Sequence, residues 1–191
     1  IKQPLRRPAR EGFCIRNNNS VNTSQSLDAE EANMIDIFLS RPTWIDAQYE
    51  PGLKGFIYHL KRKGLNPRTL GATDYPTDSP LDEVISLIKE CQGTIILGYP
   101  QIIAQTGMIK DQKIVSPIAL GTEWNHIEAA LSYSLNIPLL VLHDLSVSRG
   151  IFDPGALNSF IYSVQFSDPS WYTEARISGA LATWIKRLSI P

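Results

Sequence analysis

The run Ile35-Asp36-Ile37-Phe38-Leu39, followed at once by Ser40, Arg41 and Pro42, decides how the rest of the chain reads. It is short, apolar and β-prone, and Pro42 limits its extension. Downstream, Leu53, Phe56, Ile57 and Leu60 fall at i, i+3, i+4 and i+7 and close at Gly64, the pattern of an amphipathic helix. Pro67 to Leu70 offers a second strand, and 71–80 a loop rich in turn residues. Leu81, Val84, Ile85 and Ile88 repeat the helical stripe. Thr94 to Leu97, Ile137 to His143 and Ile161 to Phe166 read as three more strands. A long loop and a helix from Thr122, a plausible N-cap, to Asn136 separate the third from the fourth. A final helix turns Ile177, Leu181, Trp184, Ile185 and Leu188 to one side.

Strands alternating with amphipathic helices imply right-handed crossovers and a parallel sheet. Five of them suit a flavodoxin-like α/β three-layer sandwich with strand order 2-1-3-4-5. In that order the switch point lies between the first and third strands. A ligand is then expected near Ser40, Arg41 and the loop after Leu97. Residues 1–33, with Asn17 to Ser20 and few apolar anchors, read as a polar arm or linker, and 34–191 as the α/β domain.

Composition narrows the function. The chain has 191 residues, 43% hydrophobic and 19% charged, which suits one globular domain. A formal net charge of −1 gives no general attraction for nucleic acid or for an acidic membrane. The clusters Arg6, Arg7, Arg10 and Lys61, Arg62, Lys63 read as solvated surface. Cys14 and Cys91 lack metal or disulfide spacing, and Cys91 suits a small buried side chain. His59, His126 and His143 are too scattered for a histidine metal cluster, so no metal is expected. No apolar run reaches membrane-spanning length and no signal-peptide pattern opens the chain, which makes the cytoplasm the default compartment. The chain starts at Ile1 without a methionine, which leaves a longer parent open. Gly-x-Gly-x-x-Gly, Walker and Gly-x-Ser-x-Gly patterns are absent, which disfavours Rossmann dinucleotide, P-loop and α/β-hydrolase sites.

Trp124 and Glu128 stand four apart, on one face of the helix and about a turn from its start. A carboxylate beside an indole is partly desolvated, which raises its proton affinity and strengthens its hold on a nearby cation. The same residues also read without chemistry. Trp124 suits a core position beside an apolar stripe of Ile127, Leu131 and Leu135, and Glu128 a solvated one. Asp74 and Asp78 suit turns, Arg41 a neighbouring carboxylate, His126 solvent, and Tyr75 and Tyr99 ordinary loop positions.

Asp36-Ile37-Phe38-Leu39-Ser40 resembles the first-strand box of TIR domains, and Trp124-x-x-x-Glu128 resembles the pattern on their glutamate-bearing helix. Gly64-Leu65, the loop Gly71 to Pro76 and Gly93-Thr94-Ile95-Ile96-Leu97 follow in TIR order, so the similarity covers most of 34–143. The stretch Tyr99 to Leu120 is longer than the family's usual connection and suits a lid or an assembly surface. Pro42 and the turn Asp153-Pro154-Gly155 also depart from the pattern.

The resemblance implies cleavage of NAD, as substrate and not cofactor, at the nicotinamide–ribose bond. Glu128 would be catalytic, by electrostatics, by gripping ribose hydroxyls or through a covalent intermediate. Trp124 would wall the site, and Ser40, Arg41, Asp74 and Tyr75 would contact the nucleotide. It also implies homo-oligomeric association and a role in bacterial antiviral defence. Two alternatives stand beside it. One is a nucleoside deoxyribosyltransferase-like enzyme, which would need Asp74 or Asp78 as an acid for a neutral leaving base. The other is a TIR module that only binds partners.

Overall fold

The computed structural model describes residues 34–75, 79–157 and 160–188. The expected arm at 1–33, with Cys14 and its arginines, lies outside them, as does Asp78.

Five parallel strands make the sheet: β1 (Ile35–Ser40), β2 (Leu65–Arg68), β3 (Thr94–Gly98), β8 (Leu139–Asp144) and β9 (Phe160–Val164). Their order is β2-β1-β3-β8-β9, which is 2-1-3-4-5 when the parallel strands alone are counted. Helix α1 (Glu50–Arg62) and helix α4 (Ala175–Ile185) cover one face, and α2 (Pro80–Glu90) and α3 (Glu123–Ser134) the other. The chain has the flavodoxin-like α/β layout expected of it. Among the described residues, no helix is long and apolar enough to cross a membrane.

The alternation of side chains along each strand assigns residues to layers. Ile37, Leu39, Ile95, Leu97, Leu140 and Leu142 point to the α1/α4 side, into a core closed by Phe56, Trp171 and Trp184. Phe38 points the other way, against Val84, Leu87 and Ile88 of α2, and Ile96 and Val141 likewise leave the first core. Ser40, two residues beyond Phe38, therefore also faces the α2/α3 side. Parity alone brings this hydroxyl under α3.

Three expectations shift. The second strand starts two residues early, at Leu65, and runs through Pro67. Proline is tolerated because β2 is an edge strand whose one partner is β1, with Pro67 opposite Ile37. Helix α2 buries Val84, Leu87 and Ile88 and leaves Leu81 exposed, so its stripe is rotated from the expected one. The long loop after β3 is instead a two-part antiparallel ribbon: β4 (Ile102–Ala104) pairs with β7 (Ile118–Leu120), and β5 (Met108–Ile109) with β6 (Gln112–Lys113). Its tip is the pair Lys110-Asp111, with Lys110 at φ 57°. A tip without glycine or asparagine gives none of the usual hairpin signals.

Candidate active site

Helix α3 buries an unusual set of side chains: Asn125, Glu128, Ala129 and Ser132. The expected apolar stripe is not what faces the sheet, since Ile127 is exposed and Leu131 and Leu135 are half-buried. Trp124 is 42% exposed and is a rim residue, not a core one. Burying polar groups is unfavourable unless each finds a partner, and Asn125 and Ser132 each find one.

The helix starts as the sequence suggests. Thr122 Oγ1 accepts from the Asn125 N–H at 3.1 Å, and Asn125 Oδ1 accepts from the Thr122 N–H at 3.2 Å, a reciprocal capping box. Gly121 stands just ahead because a Cβ there would lie 2.8 Å from the Phe152 ring. Asn125 Nδ2 then donates to Ser40 Oγ at 2.9 Å. Lower on the helix, Ser132 Oγ donates to the Glu128 carbonyl at 2.9 Å and meets Thr94 Oγ1 at 2.8 Å. These bonds pin α3 to the carboxyl end of β1 and to β3.

Glu128 is 8% exposed. Burial pushes its carboxyl up to about 7, against the pull of a hydrogen bond from the Ser40 hydroxyl that favours the charged form. It borders a cleft of about 440 Å³ at the switch point between β1 and β3, a volume ordinary for a small-molecule site. Arg41 to Trp44 form one wall, Leu70, Gly71, Pro80 and Val84 another, and Gln101 with Thr122, Trp124 and Asn125 the third. Arg41 is the one cationic side chain among them. Its Nη1 donates to the Pro42 carbonyl at 3.2 Å and its Nε is buried without a partner, and no described ion pair includes it. Pro80 and Thr122 bring the first turns of α2 and α3 to this cleft, with the positive ends of their dipoles.

The structure thus gathers Glu128, Ser40, Arg41 and Trp124 in one place. Asp74 and Tyr75 do not line the cleft. Asp74 is gripped by Arg68, which also reaches Asp36 and Glu90 at the edge of the sheet. Partial burial opposes ionisation of Asp74, but hydrogen bonds from Arg68 and Thr73 outweigh it and hold the carboxyl below its usual range. Tyr75 is 75% exposed.

Other residues depart from their reading. Tyr99 is fully buried, packed between the tilted rings of Tyr49 and Phe166. His126 is half-buried: it packs on Phe152, and its Nδ1 accepts from the Ile151 N–H at 3.4 Å. Cys91 is buried as expected, and burial pushes its thiol up to about 12. Among the described residues, no group of three or more His, Cys, Asp or Glu side chains could hold a metal ion.

Asn125, Gln101, Thr43 and Trp44 belong to the site without having been singled out in the sequence. For Asn125 a signal existed, because Thr122-x-x-Asn125 has capping-box spacing. Gln101 and Trp44 sit in irregular loops, where no periodicity aims a side chain. No family model matches the chain, and no curated protein matches it in sequence.

Proposed function

We propose that the chain cleaves NAD at the nicotinamide–ribose bond, with Glu128 as the catalytic group. The observation that carries this reading is a single buried carboxylate in a cleft at the switch point, with the Arg41 guanidinium, in none of the described ion pairs, lining the same cleft. Nicotinamide in NAD is already a cationic leaving group, so the reaction needs no general acid. It needs negative charge beside a ribosyl centre that becomes oxocarbenium-like, and a preorganised carboxylate supplies it. The dry setting strengthens that attraction. A cationic substrate in turn favours the ionised form of Glu128, so binding readies the group.

Arg41 and the two helix N-termini suit the diphosphate, since a guanidinium pairs two-pronged with phosphate oxygens. Trp124, half exposed at the rim, offers a face for the nicotinamide ring. The transferase alternative needs an acid, and Asp74 is held ionised by Arg68 and does not line the cleft, which weighs against it. Self-association belongs to the same proposal, with the exposed Ile103, Met108 and Val115 of the ribbon segment as its contact surface.

The test is release of nicotinamide from NAD by concentrated protein beside Glu128→Gln, a swap that keeps shape and removes charge. The expected result is release by the wild type and a loss of at least about 10³-fold in the variant. Equal release by both would remove Glu128 from the chemistry. Cleavage of neutral nucleosides in place of NAD would give the site to the transferase reading.

A further inference from the structure

The four tryptophans divide evenly between core and cleft. Trp171 and Trp184 are fully buried in the core beneath α1 and α4. Trp44 and Trp124 are 66% and 42% exposed, and both line the cleft that Glu128 borders. Among the described residues, neither exposed indole packs on another ring or lies under a cation. A single exposed indole on a surface needs no explanation, but two lining one cleft make a place for planar rings. The loop that carries Trp44 is held on both sides of it. Pro42 is buried, Ile45 packs against the core, and Asp46 Oδ1 accepts from the Gln48 N–H at 3.0 Å. The indole is thus presented to the cleft by an anchored backbone.

We propose that Trp44 binds the adenine of the substrate by stacking, at the far end of the dinucleotide from the bond that breaks. The assignment rests on the reading of NAD as substrate and gives each of its two rings one indole. Glu128 has to lie beside the nicotinamide–ribose bond, and Trp124 shares its helix face four residues away, so nicotinamide goes to Trp124. Arg41 takes the diphosphate. In NAD one ribose separates that diphosphate from adenine. Trp44 follows Arg41 by three residues, a reach of at most about 10 Å along the backbone. Each part of a ring–diphosphate–ring ligand therefore has its own side chain. Stacking needs no hydrogen bond to a base edge, so the indole grips adenine through its face.

The probe is adenosine diphosphate, which carries the adenine and diphosphate of NAD and no nicotinamide. Its affinity is measured by calorimetry for the wild type, Trp44→Ala and Trp44→Phe, with inorganic pyrophosphate as the probe that lacks a ring. Trp44→Ala should weaken adenosine diphosphate by about 10- to 100-fold and leave pyrophosphate unchanged. Trp44→Phe keeps a ring and should lose less than about 10-fold. Because Trp44 is largely exposed, neither variant empties the core. No binding of adenosine diphosphate by the wild type, or equal binding by wild type and Trp44→Ala, would overturn the assignment. So would an equal loss of both probes, which would make Trp44 a support for the wall and not a ring contact. Weakening by Trp124→Ala in place of Trp44→Ala would put adenine on the other indole and overturn it as well. A Trp44-dependent affinity in a protein that cleaves no NAD would uphold the adenine site and sink the proposed activity. NAD cleavage with a KM unmoved by Trp44→Ala would do the reverse.

Discussion

Helices α3 and α4 flank the same sheet from opposite sides, and they bury opposite chemistry. Helix α4 turns Ile177, Ala180, Leu181 and Trp184 inward, and Leu188 just beyond it joins the same core. Helix α3 turns in Asn125, Glu128, Ala129 and Ser132. Apolar burial at about 25 cal/mol per Å² favours folding directly. A buried carboxylate does the opposite and survives only in a structure stable enough to carry it. The α4 side holds the fold together, and the α3 side is where the fold tolerates an unfavourable group. That division of labour can be broken at either end.

Trp184→Ala should have the largest effect on stability, a loss of about 3–5 kcal/mol from an emptied core site. Denaturant unfolding would measure it, and nicotinamide release per folded molecule should stay unchanged. Glu128→Gln should act in the reverse sense. The folded carboxyl titrates near 7 against an ordinary 4.5, so the folded state holds this proton more tightly than the unfolded one. Its contribution is fully favourable below pH 4.5 and is lost as pH rises through 7. At about 1.4 kcal/mol per unit, Glu128→Gln should raise stability by up to about 3 kcal/mol above pH 7, and the gain should fade towards pH 4.5. Thermal unfolding of the pair from pH 4 to 8 would show it. A variant less stable than wild type at pH 8 would mean that Glu128 is held by more than burial and the Ser40 bond.

The difference in legibility follows the same line. The α4 side could be read from the sequence because apolar periodicity reports a face directly: Ile177, Leu181 and Trp184 were expected inward and lie inward. Strand order and the place of the cleft followed from alternation of elements. The inward face of α3 was misread because periodicity ranks Ile127 and Leu131 above Asn125 and Ser132. What decides it is partnership with Ser40 and Thr94, 85 and 38 residues away in sequence. Asp74 shows the converse. Turn residues near a predicted ligand edge look like ligands, and only the placement of Arg68 on the neighbouring strand end shows where this one is spent. The ribbon after β3 escaped notice because its strands are two or three residues long.

Smaller effects sharpen the contrast within the cleft itself. Arg41→Gln should raise KM for NAD by about 10- to 100-fold, the worth of a charge-assisted pair with phosphate, with less change in kcat. Steady-state kinetics separates the two, and an unchanged KM would remove Arg41 from substrate contact. Asp74→Asn, at a partly exposed ion pair, should cost no more than about 1 kcal/mol by denaturant unfolding and leave NAD cleavage intact. A loss of cleavage there would restore Asp74 as a contact of the nucleotide.

The account turns on whether the buried carboxylate of α3 acts in its ionised form. The dependence of kcat/KM for NAD on pH tests that most directly, because it reports the essential groups of the free enzyme. It should rise through a single ionisation with a midpoint near 7, set by the burial of Glu128. A profile that is flat from pH 5 to 8, or that falls as pH rises through 7, would contradict it.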